Sequence, residues 1–94
     1  MGLVSRVVDD SAVLDEALSM AKRICDFSAY GVAMTKDILW VNLENPSLEA
    51  AIEIEDRNQL MLGFTENLPE AIRAFDQDRD PVYTDEPRKD LFGA

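Results

Sequence analysis

The stretch from Ser47 to Tyr83 most constrains the fold, because its helix-capping and periodicity signals favour helices over any other secondary structure. Ser47 follows Pro46 and is predicted to cap a helix over about 48–64. Apolar residues recur along this helix near the spacing of a buried helical face, and they are Leu48, Ala51, Ile52, Leu60 and Phe64. Gly63 loosens its end, and the polar sequence TEN that follows is predicted to break it.

A second, shorter helix is predicted over about 68–79. Asn67 with Glu70 three residues later is a capping-box pattern, and Pro69 is tolerated in a first turn. Its apolar face consists of Leu68, Ile72 and Phe75. The stretch contains no histidine, no metal-ligand spacing and no glycine-rich phosphate loop. It therefore predicts a helical hairpin for association and not a catalytic centre.

The rest of the chain predicts a mainly α fold in which a short amino-terminal strand precedes about four helices. The strand is expected over about 3–8, where β-branched and apolar residues cluster. Further helices are predicted over about 11–27, capped by Asp9, Asp10 or Ser11, and over about 29–43, capped by Ser28. Residues 1–84 form one helical segment in this interpretation, and the polar sequence 85–94 is expected to be a flexible tail, with docking of Leu91 and Phe92 as the alternative.

The predicted strand at 3–8 has no second strand to pair with in an otherwise helical chain. Its backbone N–H and C=O groups therefore require a partner outside the 94 residues, or a second copy of the chain. This favours the hypothesis that the sequence is part of a larger fold.

Charge and cysteine content exclude several classes of function. The net charge is −10, of which −7 lies in residues 47–94, and this argues against binding to nucleic acid or to an anionic membrane. The single cysteine, Cys25, excludes an intrachain disulfide and favours a reducing, cytoplasmic setting. Its neighbours Ile24 and Phe27 predict a buried thiol that fills space. The sequence shows neither a signal peptide nor an apolar run long enough to cross a membrane.

No catalytic or metal-binding residues and no resident cofactor are expected. Carboxylates are plentiful, and Glu53 with Asp56 or Glu66 with Glu70 are imaginable acid–base pairs, but solvated helix faces explain them better. Lys36 and Trp40 lie one helical turn apart and are interpreted as a packing pair.

Several short sequences, taken in order, carry a family resemblance. They are GLVSRVV, SAYGVAMTK, SLEAA, TEN and EAIRAF, followed by an arginine and a proline before an aromatic residue. In this order they resemble the carboxyl-terminal end of the crotonase (enoyl-CoA hydratase/isomerase) superfamily, over roughly Gly2 to Thr84. The resemblance implies that the chain lacks the family's spiral domain, which holds the catalytic glutamates and the oxyanion hole, so that it is inactive by itself. It also implies roles in trimer formation and in covering the acyl-CoA thioester.

Two ligand-binding residues follow from the resemblance alone. Phe75 matches an aromatic residue that lies near the bound CoA in related hydratases, and Arg79 matches a basic position of the same motif. Asp78 stands where those hydratases typically place a lysine that approaches a CoA phosphate. Together with Asp76 and Asp80 it would repel that phosphate. Packing in a core or an interface is an equally good interpretation of Phe75.

The sequence thus leaves three functional hypotheses. The first is the oligomerisation and CoA-covering end of an enoyl-CoA hydratase/isomerase-family protein of fatty acid metabolism. The second is a free-standing helical module that self-assembles into a homo-oligomer or co-assembles with full-length crotonase-family subunits. The third, a small acidic ligand-binding protein, is supported only by the charge.

Overall fold

The computed structural model describes residues 2–93, and its regular elements are helices. A 3₁₀ turn at Asp10–Ala12 leads directly into the first α-helix. The α-helices in chain order are α1 (Val13–Cys25), α2 (Ala29–Leu43), α3 (Leu48–Leu62), α4 (Asn67–Asp76) and α5 (Lys89–Phe92). This architecture is the mainly α fold that the sequence predicts.

Serine side chains begin two of the long helices, as the sequence indicates. The Oγ atom of Ser28 accepts a hydrogen bond from the backbone N–H of Gly31 (2.9 Å) at the start of α2. Ser47 Oγ accepts one from the N–H of Ala50 (3.2 Å) at the start of α3. Each serine satisfies a donor that the first helical turn otherwise leaves unpaired.

Helices α2 and α3 pack together as a hairpin. Their connection, 44–47, contains the predicted Asn45-Pro46 turn, and the Nδ2 atom of Asn42 donates to Glu55 Oε1 across the pair (3.1 Å). A Cβ atom at Gly31 would lie only 3.3 Å from Ser28 Oγ, so a larger residue would crowd the cap of α2.

Little of the apolar surface is buried in the part of the chain that the structure describes. Ala74 is its one fully buried apolar residue, at 1% exposure, whereas large side chains on every helix are exposed. The radius of gyration is 17.1 Å, against about 12 Å for a compact domain of this length. The helices therefore present apolar faces that a second body would have to cover.

Four sequence-based expectations are wrong. Residues 3–8 form no strand, because a strand needs a neighbour and 2–93 contain only one isolated β-bridge, elsewhere. Cys25 is exposed, as are the other residues of the last turn of α1. Asn67 is the first residue of α4 and not its cap.

The fourth correction concerns the segment 85–94, which was expected to be a flexible tail. Within the described residues it contains α5, and Pro87 forms an isolated antiparallel bridge with Thr65. The Phe92 ring meets Phe64 edge to face, with 6.1 Å between the ring centroids. Docking of Phe92 was the alternative that the sequence left open, whereas periodicity gave no sign of α5, which has only four residues.

Candidate functional site

Polar side chains at the start of α4 hold the chain segment 79–88, which we call the strap. After α4 ends, the strap runs back toward the beginning of the same helix. It contacts Glu70 first, then Asn67, and then the backbone of Glu66, which donates to the carbonyl of Glu86 (2.7 Å). The strap is thereby fixed along one side of α4.

Glu70 anchors the first part of the strap through a bidentate ion pair with Arg79. The two Arg79 Nη atoms lie 2.6 and 3.2 Å from the Glu70 carboxylate oxygens, and the N–H of Val82 also donates to Oε1 (3.0 Å). The hydrogen bonds from Arg79 and then Val82 lower the pKa of Glu70 to about 2, and the same pairing raises the pKa of Arg79.

We expect the Glu70 contacts to weaken in acid. A carboxylate whose pKa is depressed on folding stabilises the fold above its unfolded-state value of 4.5, and this contribution disappears as the pH falls toward about 2. Glu70→Gln should therefore flatten the pH dependence of thermal unfolding between about pH 4.5 and 2. Glu53→Gln, which removes an equal charge from an exposed face of α3, controls for net charge. An unchanged slope in the Glu70→Gln variant would contradict the prediction.

Asp85 connects the strap to two helices. Its Oδ1 atom accepts hydrogen bonds from Ser28 Oγ and from Asn67 Nδ2, each at 2.6 Å, and its Oδ2 atom accepts from the N–H of Tyr30 (3.2 Å). The Ser28 hydroxyl, followed by Asn67 and Tyr30, lowers the pKa of Asp85. The carboxylate also lies at the amino-terminal end of α2, where the helix dipole favours negative charge.

An apolar groove of about 640 Å³ lies beside this network, between α2, α3, the start of α4 and the strap. Its volume is in the range of small-molecule sites. The surface of the groove is mainly apolar, although six of its lining residues have polar side chains, and Lys36 is the one charged residue among them. The remaining lining residues are Phe27, Ser28, Gly31, Val32, Thr35, Gln59, Leu62, Gly63, Asn67, Leu68 and Tyr83.

The structure places the two predicted ligand-binding residues together, at the carboxyl-terminal end of α4 and outside the groove. Phe75 is 85% exposed. It lines a separate open depression of about 600 Å³ together with Ala74, Asp78, Arg79 and Asp80. The guanidinium of Arg79 is directed to Glu70 and to the carbonyl of Asp80. Phe75 is thus accessible, whereas Arg79 is already paired.

The contacts and positions of the other candidate pairs do not indicate a catalytic arrangement. Glu66 and Glu70 do not form an isolated acid–base pair, because both carboxylates lie near Arg73 and both accept backbone N–H groups from the carboxyl-terminal segment. Lys36 lies on the groove wall, and Trp40 is exposed. Within residues 2–93, no group of three or more histidine, cysteine or acidic side chains is arranged to hold a metal ion.

Sequence reasoning missed the roles of Asn67 and Asp85. The sequence pattern indicates a helix cap at Asn67, but this residue is only 8% exposed and its side chain forms hydrogen bonds with Thr84 and Asp85 of the strap. Asp85 lies in the segment that was expected to be flexible, and its backbone is left-handed, with φ of 58°. Aspartate is one of the few residues that adopt this conformation readily, but the signal is weak in a sequence.

The family relationship follows from comparison with known proteins. The family model described as enoyl-CoA hydratase/isomerase matches residues 1–86. The chain belongs to the enoyl-CoA hydratase/isomerase family. A probable enoyl-CoA hydratase of Mycobacterium tuberculosis is 41% identical to it over 87 residues, which cover 92% of the chain. One from Mycobacterium leprae is 36% identical over 86 residues, or 90% of the chain.

A solved structure of this family has the same helical arrangement. The crystal structure of a probable enoyl-CoA hydratase/isomerase from Mycobacterium abscessus superposes with a TM-score of 0.83 at 35% identity, over 90% of this chain and 33% of that one. The chain spans about 30% of the length of the curated relatives that it matches. Among the described residues, no helix is both long and apolar enough to cross a membrane.

Proposed function

We propose that this chain is the carboxyl-terminal helical part of an enoyl-CoA hydratase/isomerase-family protein of acyl-CoA metabolism, acting in oligomer assembly and in covering the CoA site. The exposure of large apolar side chains along α1 to α4 carries the proposal, because a self-sufficient domain would bury them. The 33% coverage of the Mycobacterium abscessus enzyme supports it, since there the same helices belong to a longer chain. The compartment that fits this metabolism and a lone free cysteine is the cytoplasm.

We further propose that these residues do not catalyse a reaction by themselves. Hydration of an enoyl thioester needs hydrogen-bond donors preorganised at its carbonyl oxygen and an acid–base group in a desolvated pocket. The carboxylates with lowered pKa values in the described residues, Glu70, Asp85 and Asp90, are each engaged by neighbouring donors of this chain. They are therefore assigned to structure and not to proton transfer.

Contact with the CoA moiety is proposed for Phe75 in preference to Arg79. Phe75 is accessible to an adenine ring or an acyl chain. Arg79 would have to leave the Glu70 carboxylate to reach a phosphate, and Asp78 and Asp80 lie beside it in the same depression. Any contribution of Arg79 to phosphate binding is therefore expected to be small.

A second candidate function, co-assembly with full-length family subunits, rests on the same exposed faces. In that case the chain is a helical association module that docks onto longer relatives or onto copies of itself. The two candidates share a surface and differ in whether the covering body belongs to the same polypeptide.

Light scattering on the purified chain, with circular dichroism on the same peak, tests the proposal. We expect a discrete helical oligomer, a trimer above all, and no turnover of an enoyl-CoA. Native mass spectrometry after co-expression with the Mycobacterium abscessus relative should then show mixed oligomers if co-assembly is the function. A stable helical monomer would contradict the assembly role, and measurable hydration would contradict the non-catalytic assignment.

A further inference from the structure

Three side chains at the start of α4 accept backbone N–H groups from the strap and from the residue that follows it. The pairs are Val82 with Glu70 (3.0 Å), Thr84 and Asp85 with Asn67 (3.2 and 3.1 Å), and Lys89 with Glu66 (2.8 Å). The acceptors follow one another along the helix in the reverse order of their donors along the strap. Such pairing favours one alignment of the strap on the helix, because a shift of one residue would move Val82 away from Glu70 and Lys89 away from Glu66.

The Asn67–Asp85 pair is the most enclosed part of this alignment. Asn67 uses both ends of its amide, with Oδ1 accepting from the strap backbone and Nδ2 donating to Asp85 Oδ1 (2.6 Å). Asp85 in turn accepts from Ser28 Oγ and from the N–H of Tyr30, at the start of α2. One side-chain pair thus joins α2, α4 and the strap.

Tyr83 is the residue that this arrangement positions. It lies between Val82 and Thr84, whose N–H groups are both bound to α4, and its side chain lines the apolar groove between α2 and α3. Tyr83 is the one strap residue among those that line the groove, and the others lie on or beside the helices. If the strap detaches, the groove loses Tyr83.

We propose that Asn67 and Asp85 form a latch that holds the strap, and with it Tyr83, across the groove between α2 and α3. Both are positioning residues, since they act through the strap. The latch is a property of the described chain itself and does not depend on the function proposed above.

A side-chain exchange between the two positions tests the latch in the full 94-residue chain. Asn67→Asp alone places two carboxylates in contact. Asp85→Asn alone replaces one carboxylate oxygen, which accepts from Asn67 Nδ2 or from the N–H of Tyr30, by an NH₂ group that faces one of these donors. Each should accelerate amide hydrogen exchange at 82–86 by about tenfold or more. The double variant N67D/D85N restores a donor–acceptor pair with the original net charge. Its exchange should return to within about twofold of the parent chain.

Asp78→Asn is the matched control for Asp85→Asn. Asp78 has a similar left-handed backbone (φ 52°), and its side chain has no hydrogen bond among residues 2–93. Exchange in the strap should not change in this variant. Amides of α3 serve as the internal reference. The latch is overturned if the strap amides of the double variant exchange as fast as those of the single variants, or if D85N and D78N give the same exchange rate in the strap. It is also overturned if exchange in α3 accelerates by the same factor as in the strap, since the pair would then support the whole fold.

Discussion

Replacing Asn67 by leucine is expected to lower the free energy of unfolding by about 3 kcal/mol. The leucine side chain has a similar size but no polar atoms, so the N–H groups of Thr84 and Asp85 lose their acceptor. The Asp85 carboxylate loses a donor at 2.6 Å. Because Asn67 is only 8% exposed, water cannot readily replace these partners. Chemical denaturation followed by circular dichroism measures the change.

The matched control for that experiment is Asn58→Leu. Asn58 lies in α3 at intermediate exposure, and its side-chain amide forms no hydrogen bond in the described part of the chain. This variant should change the free energy of unfolding by less than about 0.5 kcal/mol. Both variants must be compared at one protein concentration, because assembly adds to stability by mass action. Equal losses in the two variants would show that the Asn67 hydrogen bonds contribute nothing.

Replacing Ile72 and Phe75 together by serine is expected to weaken self-assembly by a factor of about 100 or more. Both side chains are exposed on α4, and Phe75 is the most exposed aromatic residue among those described. Burying them in an interface would contribute about 1.5–3 kcal/mol per side chain, of which the serines retain little. Sedimentation velocity over a concentration series measures the shift in the association midpoint.

Asp76→Ser controls for the introduction of serine at an exposed position of the same helix. Asp76 is exposed and takes no part in the strap contacts, so its replacement should leave the association midpoint within about threefold of the parent value. If the Ile72/Phe75 variant assembles as well as this control, α4 does not contribute to the interface, and the covered face must lie on other helices.

The long helices follow from local sequence signals. Serine caps, the Asn45-Pro46 turn and apolar periodicity act within a few residues, and the observed α2 and α3 begin directly after Ser28 and Ser47. Local sequence signals do not predict the role of Asn67. Its pattern with Glu70 fits a capping box, but tertiary contacts compete for both side chains and direct them to the strap.

The site was less predictable than the helices, because it depends on contacts between distant residues. Ser28 and Asp85 are 57 positions apart, and no periodicity relates them. The resemblance located Phe75 and Arg79, but it did not indicate that Arg79 pairs with Glu70, nine positions earlier in the chain. The exposure of Cys25 also depends on what covers α1, and residues near it in sequence do not reveal that.

The spacing of the strap contacts has a consequence for how the chain acquires its structure. Glu70 and Arg79 close a loop of nine residues, and Asn67 and Asp85 close one of 18, so the entropy lost in forming these contacts is small. Short loops close quickly, and structures dominated by them fold fast. The segment from Thr65 to Phe92 is thus suited to form as an early unit, before α1, α2 and α3 find their partners. The bond from Ser28 to Asp85 would then be the step that joins the hairpin to it.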